Sequence, residues 1–197
     1  MAHAQEQKTT SAQYLCFRLA GEECAIGILR VREILEYDAV TKVPAMPPWV
    51  RGVMNLRGGV VPVIDLTVKF GLPESPVTRR TCIVIVEVAL DGEPAVMGVV
   101  VDAVSQVLEL SPADIEPPPP FGTSVRADYL LGLGTFGDRF VLLLDIDRVL
   151  SAAELLKAAS LETQDAEPAR DGIPAASATK TTTKTRGAAD STTGVIA

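Results

Sequence analysis

Two apolar runs, TCIVIVEVAL at residues 81–90 and AVMGVVVDAV at 95–104, stand on either side of Asp91-Gly92. Asp-Gly suits a two-residue hairpin turn, because both central positions of a type I′ turn need positive φ and these residues reach it at least cost. The runs are apolar and largely β-branched at neighbouring positions, not only at alternate ones, which is the pattern of strands covered on both faces. Further short strands are expected at 14–19 and 24–28, on either side of the turn Gly21-Glu22-Glu23, and at 107–110 and 139–146. Many short strands with turn signals and little helix argue for small closed barrels rather than a parallel α/β sheet.

The stretch RGVMNLRGGVVPVIDL, residues 51–66, reads as another hairpin, with arms at 53–56 and 60–66 and Gly58-Gly59 as its turn. Pro62 has no N–H to give to a ladder, so the second arm belongs at a sheet edge or a bulge. Arg57 then stands beside a turn near an exposed edge, within reach of a partner. From residue 28 the period changes. Ile28, Val31, Ile34 and Leu35 fall at helical spacing with Arg30, Arg32, Glu33 and Glu36 opposite, and they predict a short amphipathic helix ending near Tyr37. Pro44, Pro47 and Pro48 break the segment around Trp49, the only tryptophan, and the four prolines at 117–120 form a stiff polyproline stretch that delivers Phe121. Ser151 and Glu154 have the spacing of a capping box, with Leu155 and Leu156 following on a C-terminal helix. Beyond about residue 160 the sequence, including TKTTTKTRGAADSTTG, is low in complexity and reads as a disordered tail. No fixed-period repeat is evident, though strand groups before and after about Gly71 suit two similar half-domains.

At 197 residues, 47% of them hydrophobic, the chain suffices for one ordinary domain or two small ones. Its net charge is −7, and residues 161–197, with five acids and four bases, hold only −1 of it. The body is therefore acidic and repels phosphate backbones, which argues against nucleic acid as a partner. A barrel for single-stranded nucleic acid would also need stacking platforms, and aromatics are 5% of residues. No apolar stretch has signal-peptide or membrane-spanning length, so a cytoplasmic protein without membrane insertion is expected. Cys16, Cys24 and Cys82 are odd in number and form no CxxC pair, which suggests free thiols rather than a disulfide framework or zinc site. The only histidine is His3, so imidazole catalysis, histidine-containing triads and ordinary His metal sites are absent from the body. No catalytic residue, metal ligand or cofactor is expected. Asp145 and Asp147 read as acids capping exposed amides at a strand end, not as an acid/base pair. The stretch GLGTFG at 132–137 satisfies GxGxxG, but a strand rather than a helix is expected after it. The alternative reading, a small-molecule or nucleotide-binding β-barrel, rests on that bend alone.

RGVMNLRGGVVPVIDL resembles the signature hairpin of the CheW adaptors of bacterial chemotaxis. The likeness continues in order through YLCFRLAGEECAIGILRVREILEY, VMGVVVDAVSQVLELSPADIEP and YLLGLGTFGDRFVLLLDIDRVL. It covers residues 12–158, the whole expected folded region, between a flexible N-terminus at 1–11 and the tail at 159–197. The resemblance implies a mainly β fold of two SH3-like five-stranded β-barrel subdomains with short helices and a C-terminal helix. It implies a non-catalytic adaptor, without cofactor, that couples chemoreceptors to the histidine kinase CheA by binding the receptor's cytoplasmic tip and the kinase's regulatory domain. Self-association in array rings is open to such a protein. By the same resemblance Arg57 faces the receptor, close to Glu33, and offers its planar fork to carbonyls or carboxylates. Val31, Gly52, Gly58 and Gly132 are implied in the same receptor groove, and Phe121 in contact with the kinase regulatory domain. Gly59 stands where members of that family often carry a side chain, and the tail has no counterpart there.

Overall fold

The two runs that read as covered on both faces become neighbouring inner strands of one sheet. The structure, a computed structural model, describes residues 11–38, 40–118 and 124–151. In chain order its elements are β1 (Ala12–Leu19), β2 (Glu22–Gly27), β3 (Val31–Glu36), β4 (Val50–Leu56), β5 (Gly59–Asp65), the one-turn helix α1 (Leu66–Lys69), β6 (Cys82–Leu90), β7 (Glu93–Val101), β8 (Ala103–Leu110), β9 (Ile115–Glu116), β10 (Leu130–Phe136), β11 (Arg139–Leu144) and the one-turn helix α2 (Ile146–Val149). Short 3-10 turns precede β3, β9 and β10. One sheet runs β8-β1-β2-β11-β10-β9 and the other β3-β6-β7-β5-β4. Each curls into a small SH3-like barrel. The second has the five strands expected, whereas the first gains a sixth in the two-residue β9. The C-terminal helix expected after Ser151 lies outside the described residues.

The division at Gly71 does not hold. The chain begins in the first barrel with β1 and β2, builds the whole second barrel with β3 to β7, and returns to complete the first. In both barrels a hairpin joins the rest through a parallel pairing, β2 with β11 and β7 with β5. The β1–β2 hairpin thus does in the first barrel what β6–β7 does in the second, so the halves are related by circular permutation. That rearrangement hides a repeat at constant spacing: Gly52 and Gly132, Asp65 and Asp145, and Phe70 and Leu150 are each 80 residues apart and hold equivalent places. The expectation of no fixed-period repeat is corrected accordingly.

Side-chain alternation sorts the core into three parts. On β1, Cys16 points into the first barrel with Ala25, Leu108, Leu110, Val141 and Leu143. On β6, Ile83 and Ile85 fill the second barrel with Val63 and Val100. The intervening residues, Leu15, Phe17, Val84 and Val86, meet between the barrels with Ile26, Val99 and Val101. Both faces of β1 and β6 are therefore buried, which is why these strands carry no polar stripe.

The helix expected at 28–37 is a 3-10 turn, Ile28–Arg30, followed by β3. β3 pairs with β6, Ile34 opposite Val84 and Glu36 opposite Cys82. Val31, Glu33 and Leu35 are half-buried, while Arg32, Ile34 and Glu36 are exposed. Fewer than three helical turns gain too few hydrogen bonds to offset nucleation, whereas a strand here satisfies the open edge of β6. The spacing of Val31 and Leu35 fits both periods, so the apolar pattern alone did not discriminate.

The hairpin of 51–66 forms, but its turn sits one residue earlier than expected. Arg57 and Gly58 are the central pair, with φ of +52° and +90°, and Gly59 begins β5 opposite Leu56. Pro62 lies on a strand that is not an edge, since β5 sits between β4 and β7. Its missing N–H is nonetheless harmless. Val53, opposite Pro62, directs both backbone groups outward to Thr41, so this is a pair without ladder hydrogen bonds. On its other side β7 joins β5 only from Val63 onward.

Candidate functional site

The β4–β5 tip is fixed from within: Asn55 Oδ1 accepts the Gly58 N–H at 2.8 Å. This holds Arg57 in the left-handed region, where a residue with a Cβ is strained by roughly 1–2 kcal/mol. The guanidinium is then oriented from without. Its Nη2 donates to Glu33 Oε2 at 2.9 Å, and the arginine side chain stays 79% exposed against 24% for the glutamate. β3 and β4 are the first and last strands of their sheet, so the pair spans the two edges of the second barrel. An ion pair this exposed contributes at most about 1 kcal/mol, so its main effect is on direction.

The other residues singled out from sequence hold different positions. Val31 is half-buried against the core shared by the barrels. Gly52 has φ of +141°, and a Cβ there would stand 2.1 Å from the Thr41 carbonyl oxygen. It sits at a register shift in β4 and lets the loop after β3 close against that strand. Gly132 is its equivalent at a register shift in β10, where a Cβ would come within 2.6 Å of the Glu116 carbonyl oxygen. Gly58 has open space around its Cβ direction, and only its φ requires glycine. The structure thus brings Arg57 and Glu33 together, keeps Gly58 beside them, and gives Gly52 and Gly132 backbone roles in separate barrels. Phe121 lies outside the described residues. Gly132 and Gly134 belong to β10, and Gly137 opens the turn into β11, so the helix a dinucleotide motif needs does not follow.

Sequence reasoning missed a buried pair at the far end of this hairpin. Arg51 Nε and Nη2 both donate to Asp65 Oδ2 at 2.8 Å, while Asp65 Oδ1 caps α1 through the Val68 N–H at 3.1 Å. Glu74 closes over the same guanidinium. Burial on its own would lower the Arg51 pKa, but Asp65 and Glu74 hold it above its ordinary value. Asp145 caps α2 in the equivalent way, accepting the Arg148 N–H at 3.2 Å, as expected for an acid at a strand end. Asp147 instead accepts the Ala89 N–H at 2.9 Å and pairs with Arg30. Burial pushes the Cys16 thiol up to about 11 and the Cys24 thiol to about 12, so neither of these two is activated. No group of metal-ligating side chains occurs among the described residues, and none of their helices is long and apolar enough to cross a membrane.

Residues 13–154 match the family model of the CheW-like domain. The chain belongs to the CheW family of chemotaxis adaptors. It is 40% identical over 148 residues to the chemotaxis protein CheW of Klebsiella aerogenes, covering 75% of this chain and 87% of that one. The chemotaxis protein CheW of Treponema pallidum is 32% identical over 76% of this chain and 88% of its own length. Protein FrzA of Myxococcus xanthus is 30% identical over 75% and 90%. In structure the chain is similar to the scaffolding protein TtCheW of Thermoanaerobacter tengcongensis, with a TM-score of 0.64 and 30% identity, covering 75% of this chain and 93% of that one. Within this CheW-family chain the repeat at 80 residues would not have revealed the missed pair either. Aligning Asp65 with Asp145 sets Arg51 against Leu131, one tied down and the other exposed.

Proposed function

We propose that this chain is a non-catalytic cytoplasmic adaptor that couples the cytoplasmic tip of a chemoreceptor to the regulatory domain of a CheA-type histidine kinase. The observation that carries the reading is Arg57. Its guanidinium is exposed, its backbone is fixed in a strained turn and its direction is set by Glu33. Strain retained at an exposed tip argues for a role outside the fold, because asparagine would fill the same turn with less of it. A planar fork held this way suits carboxylates or carbonyls on a receptor helix. Val31, two residues before Glu33 on β3, supplies apolar surface to the same groove. Gly52 and Gly58 shape the backbone of that barrel, Gly132 does so at the equivalent place in the other, and Phe121 serves the kinase side.

The test is receptor-tip affinity for wild type, Arg57→Glu, Glu33→Arg and the swap of both, each with an unchanged circular dichroism spectrum. Arg57→Glu abolishes receptor binding by setting two acids side by side, and kinase-domain binding survives. The swap restores part of the affinity if the pair acts by orientation, and none if the guanidinium itself touches the receptor. Wild-type affinity in folded Arg57→Glu would return Arg57 to the status of a solvated charge.

A further inference from the structure

Among the described residues seven arginines pair with a carboxylate, whereas Arg18, Arg79 and Arg80 do not. Arg79 and Arg80 are adjacent and both exposed, in a chain with 25 acids against 18 lysines and arginines. Where acids are in excess, two neighbouring arginines without one are the exception.

They are the central residues of a turn that is closed three ways. The Thr81 N–H donates to the Thr78 carbonyl at 3.1 Å, the Thr78 N–H to Thr81 Oγ1 at 2.8 Å and the Arg80 N–H to Thr78 Oγ1 at 3.1 Å. Thr81 is 5% exposed, and its carbonyl accepts the Tyr37 N–H at 3.1 Å, which pins the turn just beyond the end of β3. The backbone of both arginines is thus fixed before any partner arrives, so binding costs less ordering entropy than it would on a loose loop. Val77, directly before the turn, is 51% exposed.

Two guanidinium forks side by side suit a pair of carboxylates or phosphates. The charge of the rest of the chain decides between them. Residues 28–101 hold eight acids and eight bases, while residues 11–27 and 102–151, which build the first barrel, hold ten acids and four bases. A nucleic-acid backbone or an anionic lipid surface extends past the turn and meets that excess. A short acidic peptide segment stays within the roughly 8 Å over which charge is felt at physiological salt. A second copy of the chain is a poor source of carboxylates, because acids of its first barrel are engaged already: Glu23 by Arg139, Asp145 by Arg148 and Asp147 by Arg30.

We propose that the turn from Thr78 to Thr81 is a docking contact for an acidic segment of a separate protein, with Arg79 and Arg80 pairing with two of its carboxylates and Val77 adding apolar contact. The turn is distinct from the Arg57 tip: Tyr37, which holds it, stands four residues beyond Glu33, about 13 Å along extended chain.

The experiment uses the full chain and, as probe, a fluorescent peptide of alternating glutamate and glycine, followed by anisotropy at physiological salt. Arg79→Gln with Arg80→Gln weakens binding by about tenfold. Arg18→Gln with Arg139→Gln, which removes the same charge from the first barrel, leaves it within about twofold, and both variants keep the wild-type circular dichroism spectrum. No binding of the peptide to wild type, equal loss in the two variants, or no loss in the first overturns the proposal. So does a double-stranded oligonucleotide or a vesicle of anionic phospholipid that binds wild type more tightly than the peptide does and fails to bind the Arg79/Arg80 variant, since the turn then reads phosphate. Sedimentation tests the remaining occupant: self-association of wild type that vanishes in the Arg79/Arg80 variant makes a second copy the partner, and overturns it too.

Discussion

Arg57 carries two opposed effects that a single substitution separates. Its left-handed backbone costs roughly 1–2 kcal/mol relative to a residue at ease there, and its exposed pair with Glu33 returns less than about 1 kcal/mol. Arg57→Asn keeps the turn and relieves part of the strain, so the thermal midpoint is expected to rise slightly while receptor-tip affinity falls. A lower midpoint would show that the pair with Glu33 holds the hairpin. The thiols give an independent check on packing. Cys16 and Cys24 are buried and Cys82 is half-buried, so a thiol-specific reagent applied to native protein should modify Cys82 first and the other two only on unfolding. A cysteine freed by unfolding loses its proton near pH 9.0, whereas the folded chain retains that of Cys16 to about 11 and that of Cys24 to about 12. Proton loss above pH 9 therefore favours the unfolded state. The stability from these thiols is full below that pH and declines as pH rises through the folded values. The alkaline fall in melting midpoint should be shallower in a folded Cys16→Ala, Cys24→Ala variant.

Glycines that shape the strands should rank by what surrounds them. Gly52→Ala meets a carbonyl oxygen at 2.1 Å with a positive φ and should destabilise by more than about 2 kcal/mol; Gly132→Ala is crowded without unusual φ and should cost about 1–3 kcal/mol. Gly58→Ala has space and suffers only its φ, about 1 kcal/mol. Thermal melting of the three variants checks the order, and a Gly52 variant of wild-type stability would refute the backbone role given to that residue. The same contrast explains what was legible in the sequence. Strands with a dominant local signal, such as the β6–β7 pair around Asp91-Gly92, stood out because turn chemistry and apolar runs agreed. β3 did not, since Val31 and Leu35 satisfy two periods and only the free edge of β6 decides between them. The turn at Arg57 was displaced by one residue because Gly58-Gly59 is the better turn dipeptide locally, while the register of β4 on β5 fixes Arg57-Gly58 instead. Glu33 beside Arg57 came from the family resemblance. The Arg51, Asp65 and Glu74 cluster lacked any local signal, because it joins two strands and a loop that only the fold brings together.

Circular permutation binds the two barrels into one cooperative unit. The chain starts in the first barrel, completes the second and returns, and β1 and β6 each give one face to their own barrel and the other to the shared core. Neither barrel can then lose its central strand without uncovering the other. Phe17 lies in that shared core and is fully buried, on a strand of the first barrel. Trp49, the only tryptophan, precedes β4 of the second barrel, and its carbonyl accepts the Asp65 N–H at 2.8 Å. Truncating Phe17 to alanine removes packing on both sides and should cost about 3–5 kcal/mol. If the barrels melt together, Trp49 fluorescence and far-ultraviolet circular dichroism shift to a lower midpoint by the same amount, although the substitution lies in the other barrel. If each barrel is independently stable, the circular dichroism transition broadens or splits while the Trp49 midpoint stays at the wild-type value, and the shared core is then only a contact between two finished domains.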